Sequence, residues 1–297
     1  MSYDYRLLLA TIPRYLHFVD EVLLGVDSEG LTWSGERFDI PASFFAELRL
    51  IDENPSKIRL VSQPFYLASR SPMENEVIER NVLSKEARHD NWLVSFDADE
   101  VLLNPEEFFG FIQRVKRRAR DVDVDVRLIT VFKDLGGAVL IVAAQEDGAL
   151  EQCPVGTRKR DAFAVGRRTG AESVLSPGLV LHYAWARSEE DLLLKLRNWG
   201  HSRDFDAQKY FEFWRGVTEE NYRSLREFHP IWPRLWPRLV MVDKRNLDDL
   251  DLRALRCHEG SAAGMAVRRV WEGLVKRWRR RPLGRLKGDG GGRKSAR

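Results

Sequence analysis

The chain has 297 residues, 43% of them hydrophobic and 31% charged, the composition of a soluble globular protein with room for one α/β domain or two small ones. Two cysteines, Cys153 and Cys257, exclude a disulfide framework and suit a reducing compartment, and no apolar run approaches the roughly 20 residues that span a bilayer. The net charge of +3 is unevenly spread: residues 268–297 carry twelve Lys or Arg against two acids, a net +10, which leaves −7 on the remainder. No basic stretch precedes the first apolar run and no small-residue cleavage site follows it, so the expected location is the cytoplasm.

The first segment reads two ways. Leu8, Ile12, Leu16 and Val19 fit a helical stripe interrupted by Pro13, and RLLLAT also fits a strand with Pro13 opening a short helix. EVLLGVD, 21–27, is a buried strand that stops at Asp27, and a Gly- and Ser-rich loop follows it. SFFAELRLI has helical character and KIRLV, 57–61, reads as a strand. Residues 72–90 read as a helix entered at Pro72, with Glu74 and Glu76 in its first turns. WLVSF is the next strand, and PEEFFGFIQRVKRRA, 105–119, the next helix. This alternation predicts an α/β fold with a mostly parallel sheet flanked by helices. DVRLITVF and GGAVLIVAA then form a hairpin-like pair around Lys133 to Gly137. GLVLHYAW, 178–185, is a strand, and the helix after it is capped by Ser188, with three acids in its first turn. HPIWPRLWP, 229–237, holds three prolines and two tryptophans and predicts an irregular closing segment.

The stretch NWLVSFDADEVLLNPEEF, 91–108, runs a greasy strand into Asp97, Ala98, Asp99 and Glu100. Ligands of an open parallel sheet bind beyond the carboxyl ends of its strands. Alternate residues leaving a strand point the same way, so Asp97 and Asp99 can converge. Two adjacent anions repel unless a cation offsets them. Hard oxygen ligands so placed suit Mg²⁺ or Mn²⁺ together with a substrate phosphate. The plainer alternative is a capping loop whose acids sit near a helix N-terminus.

ERNVLSKEARHDNWLVSFDADE resembles the stretch before the Asp-X-Asp motif of family 2-like glycosyltransferases with the GT-A fold, and VLHYAWARSEEDLLLKLRNWGHSRDF resembles their C-terminal portion. The resemblance covers about residues 20 to 235. It implies a Rossmann-like GT-A domain over 1–255 that moves a sugar from a nucleotide-sugar donor to a glycan or lipid-linked acceptor. It places Asp99, His182 and Asp97 around a Mn²⁺ or Mg²⁺ ion, and Asp27, Asp97, Asp99, Arg80 and Lys195 at the donor. Asp27 has an even alternative as a turn-former and His182 as a histidine bonded to backbone. The chain departs from the family in leaving almost no room for the first strand and in lacking a base motif at the usual place. Glu172 in RRTGAESVLSPG is the candidate catalytic base, against a solvated loop acid. Trp185, Trp199, Trp214, Trp232 and Trp236 are candidates for stacking on sugar or base, or for core.

The same triplet also resembles the first motif of haloacid-dehalogenase phosphatases, which makes Asp97 a nucleophile, with Lys244, Asp248 and Asp249 imitating later motifs. Against this, some ninety residues precede the motif and Glu100 stands where a small residue is usual. An inactive scaffold of the same fold is the third possibility. In the tail, 256–297, Val267, Val270, Trp271, Leu274, Val275 and Trp278 make one apolar helical stripe opposed by arginines and lysines. That pattern fits a helix lying on an anionic membrane surface or one docked on the domain, and a disordered end follows it. No nucleic-acid partner is expected, since the acidic body offers no basic surface to extend the tail.

Overall fold

The computed structural model describes residues 1–52, 57–88, 91–115, 122–247, 250 and 255. The N-terminal segment is helical, which settles the two alternatives for it: a short α-helix, α1 (Leu8–Thr11), sits among three 3-10 turns, with Pro13 inside the turn Ile12–Arg14. The chain then runs through β1 (Val22–Asp27), α2 (Ala42–Ile51), β2 (Ile58–Gln63), α3 (Pro72–Glu86), β3 (Leu93–Val94), β4 (Glu100–Leu102) and α4 (Pro105–Val115). There follow β5 (Val122–Asp134), β6 (Ala138–Val142), β7 (Glu151–Thr157), β8 (Glu172–His182), α5 (Glu189–Asn198), α6 (Ala207–Arg215) and β9 (Leu239–Asp243).

The fold is mixed α/β, but its sheets are mostly antiparallel, which corrects the mostly parallel sheet expected from the strand–helix alternation. β1 and β2 form a small parallel pair by themselves. The other seven strands make one sheet in which only β5 and β8 run parallel; β3–β7, β4–β8, β5–β6, β5–β7 and β6–β9 are all antiparallel. The reason lies in the connections. β5 turns directly into β6 through residues 135–137, where Gly136 takes φ +89°, and strands joined by so tight a turn can only be antiparallel. The WLVSF strand shrinks to two paired residues, and its partner is β7 rather than β1 or β2.

β5 is the spine of this sheet. Its first half pairs with β7 and its second half with β6, while β8 runs along the other side from Val122↔Glu172 to Thr130↔His182. β4 continues that side, with Glu100 opposite His182. Phe108 and Ile112 of α4 pack on Val124 and Val126 beneath the start of β5. Beyond its other end an aromatic cluster joins Phe132 to Trp185, Trp214 and Trp236 under α5 and α6. Burying each such ring contributes on the order of 1.5–3 kcal/mol or more. These two cores hold the ends of β4 and β8 in fixed register. Among the described residues no helix is long and apolar enough to cross a membrane. The amphipathic stripe of the tail, with Asp248 and Asp249, lies outside the described residues.

Candidate functional site

α3 begins in a capping box: the Ser71 hydroxyl accepts from the Glu74 amide, and the Glu74 carboxylate accepts from the Ser71 amide, as the Pro72 entry implied. Spacing of three and four residues puts Glu76, Glu79 and Arg80 on one face of the helix, and all three line a cavity of about 890 Å³. The guanidinium of Arg80 donates to Glu76 Oε1 at 3.0 Å, to Ser95 Oγ at 2.8 Å and to Asp97 Oδ1 at 2.8 Å. It thereby ties the helix to the end of the WLVSF segment.

The DADE turn is closed on itself and on β8. The Glu100 amide donates to the Asp97 carbonyl, the Asp97 amide donates to Glu100 Oε2 at 3.0 Å, and the Tyr183 amide donates to the Asp99 carbonyl. Each carboxylate of the turn has a cationic partner. Asp97 has Arg80. Asp99 Oδ2 accepts from Lys195 Nζ and from Arg187 Nη2, both at 2.5 Å. Glu100, 1% exposed, is held by Arg167 through two bonds of 2.6 Å, the bidentate geometry that makes arginine–carboxylate pairs strong. His182 Nε2 stands 3.7 Å from Asp99 Oδ1.

The two aspartates differ in access: the Asp97 side chain is 39% exposed to the cavity, and that of Asp99 only 2%. Burial by itself would raise both carboxyls. At Asp97, Arg80 and then Arg167 outweigh it, and at Asp99, Lys195, His182 and Arg187 do; both are held below the usual carboxylate range. Glu76 is the opposite case, because burial outweighs the pull of Arg80 and its carboxyl is pushed up. Burial also pushes the Cys153 thiol, beside Arg167, up to about 12, so it is no thiolate.

The structure places Arg80, Asp97, Asp99, His182 and Lys195 along one cavity. Asp27 lines the same cavity, but its oxygens are taken by its own surroundings: Oδ1 accepts from the amides of Glu29 and Leu31, and Oδ2 from those of Phe65 and Tyr66. Glu172 is not brought in. It is exposed at the opposite end of β8 from His182, roughly 33 Å away at strand rise. Lys244 pairs with Asp134 at the β5–β6 hairpin, away from Asp97. Arg187 and Glu76 were not legible as site residues. Arg187 lies in the irregular stretch between β8 and α5 with no periodicity to orient it, and Glu76 read only as a first-turn acid.

Carboxylate oxygen and imidazole nitrogen, donor types that a divalent ion takes, face each other at Asp99 and His182, with Asp99 Oδ2 already held by Lys195 and Arg187. Among the described residues no group of three His, Cys, Asp or Glu is close enough to make a complete site alone, so further ligands would have to come with a substrate. Comparison with protein-family models, with curated proteins and with solved structures finds no match to this chain.

Proposed function

We propose that the chain is a glycosyltransferase of the GT-A type that takes a nucleotide-sugar donor into this cavity and passes the sugar to a glycan or lipid-linked acceptor. The observation that carries this reading is the floor of the cavity: a partly exposed Asp97 and a buried Asp99 lie among Arg80, Arg167, Arg187 and Lys195. At about 890 Å³ the cavity falls in the roughly 300–1,000 Å³ range of small-molecule clefts.

Lys195 is held by one carboxylate oxygen, Asp99 Oδ2, so an arriving diphosphate can share its remaining donors. Lys195 and Arg80, which line the cavity, would then offset the charge that develops on the leaving nucleoside diphosphate. Asp99 and His182, with Asp97 beside them, would hold Mn²⁺ or Mg²⁺, which when bound supplies further positive charge against the donor's phosphates. The acceptor hydroxyl attacks the anomeric carbon, and the bond from that carbon to the diphosphate oxygen breaks with its electron pair on the oxygen. The proton goes to a cavity carboxylate. Glu76 suits this step because burial raises its proton affinity.

Calorimetric titration with UDP, GDP, CDP and dTDP, each with and without Mn²⁺, tests the reading. One nucleotide should bind, more tightly with the ion, and His182→Ala should weaken the ion-dependent part by about tenfold while leaving the thermal midpoint near that of the parent. If none of the four binds in either condition, the transferase reading fails.

A further inference from the structure

The cavity has an aromatic rim that the donor chemistry leaves unused. Trp185, Trp214 and Trp236 are at most 3% exposed and belong to the core, whereas Trp232 is 55% exposed and lines the same cavity as Asp97. Leaving an indole in water forgoes a burial worth about 2 kcal/mol or more.

The loop is built stiff. Pro230 and Pro233 flank Trp232 closely, and His229 Nδ1 accepts the amides of Ile231 at 3.1 Å and Trp232 at 2.9 Å. The His229 ring stacks on the indole with centroids 5.4 Å apart and meets Trp236 edge-on at 4.4 Å, which anchors the loop to the aromatic core. On the cavity side, His201 meets the indole edge-on at 5.9 Å. Its Nδ1 lies 2.6 Å from Asp204 Oδ2, so an imidazole–carboxylate pair stands beside the exposed ring.

This arrangement has the chemistry of a sugar subsite. The apolar C–H face of a pyranose packs flat on an indole, and its rim of hydroxyls needs donors and acceptors at the ring's edge. A preformed aromatic surface with a few placed polar groups is the general form of such sites. Its position identifies which sugar. His201 follows Gly200, and a Cβ at Gly200 would come within 2.2 Å of Glu76 Oε2, so this rim adjoins Glu76. We propose that Trp232, with His201 and Asp204, is the acceptor subsite, where a pyranose ring of a glycan stacks beside Glu76. The assignment rests on the transferase function proposed above.

The test uses the full chain with cellobiose, maltose and chitobiose as probes, followed by quenching of tryptophan fluorescence and by ligand-observed NMR, in parallel with nucleoside diphosphate titrations. At least one disaccharide should bind the parent protein. Trp232→Ala should weaken that binding by about tenfold or more and leave nucleotide affinity unchanged, while Trp232→Phe retains most of the sugar binding. Disaccharide binding that survives Trp232→Ala overturns the subsite, as does a parent protein that binds no disaccharide. Loss of nucleotide but not of disaccharide binding in Trp232→Ala overturns it in favour of a nucleobase stack. A parent that binds disaccharide through Trp232 but no nucleotide retains the sugar subsite while the transferase reading fails, so the two failures are distinguishable.

Discussion

Two aspartates that follow strands line the same cavity, Asp27 at the end of β1 and Asp99 in the turn after β3, and their carboxylates are used in opposite ways. Asp27 closes β1, and its oxygens accept amides from 29, 31, 65 and 66, all backbone of the loops that follow β1 and β2. Asp99 sits in the turn after β3, and its Oδ2 accepts from Arg187 and Lys195, side chains 88 and 96 residues away. The first carboxylate is spent on folding its own loops, because backbone amides cannot move aside for a ligand. The second is held by long side chains that can turn toward an incoming anion. The charge arrangement at the DADE turn therefore stabilises the free protein and also stocks the cavity with cations.

The sharpest way to break this contrast is Asp99→Asn. It removes the charge that faces a buried lysine and arginine, and breaking a buried pair costs about 3–5 kcal/mol. Chemical denaturation should show a loss of that order. A loss under about 1 kcal/mol would mean that Lys195 and Arg187 reach water without Asp99. Asp27→Asn comes next. It turns one oxygen, which accepts two amides, into a donor, and each stranded amide costs about 1–3 kcal/mol. Stability should drop by about 2–6 kcal/mol while the folded fraction keeps its nucleotide affinity. Lost nucleotide affinity with unchanged stability would make Asp27 a ligand contact and collapse the comparison.

A second carboxylate pair, Glu76 and Glu172, sharpens the contrast in kinetics. Glu76→Gln should lower sugar transfer by about a hundredfold or more with nucleotide affinity retained. Glu172→Gln, an exposed change far from the cavity, should alter stability by less than about 0.5 kcal/mol and leave transfer as it is. The reverse ranking would return the base role to Glu172.

The smallest effect expected concerns His229, a neutral counterpart of Asp27 in that it too holds backbone amides, two of them on Nδ1. Burial, with His201 adding to it, holds its imidazole down at about 4. Between the ordinary histidine value near 6.5 and 4, the unfolded chain binds a proton that the native state refuses. This contribution to stability is therefore complete above that window, falls as pH is lowered through it and levels off below it. Thermal melts across this range should show a steeper decline for the parent than for His229→Gln. Equal slopes would mean that the native imidazole is free to protonate.

Local sequence determined much of the scaffold. The stop of β1 at Asp27, the Ser71–Pro72 entry to α3, the Ser188 cap of α5 and the turn near 133–137 follow from residue types a few positions apart, because caps and turns are satisfied locally. That Asp97 and Asp99 could face one point followed from their alternate spacing, whereas His182 was placed beside them only by the resemblance to GT-A enzymes. Strand partners were not, since a two-residue β3 pairs with β7 and β8 lies parallel to β5 across long insertions, and no short window records which neighbour a strand will find. The partners of the DADE carboxylates were equally hidden. Arg80 and Lys195 were expected to face a donor and Arg187 carried no signal, and only packing that removed water made each of them, with Arg167, answer a particular carboxylate.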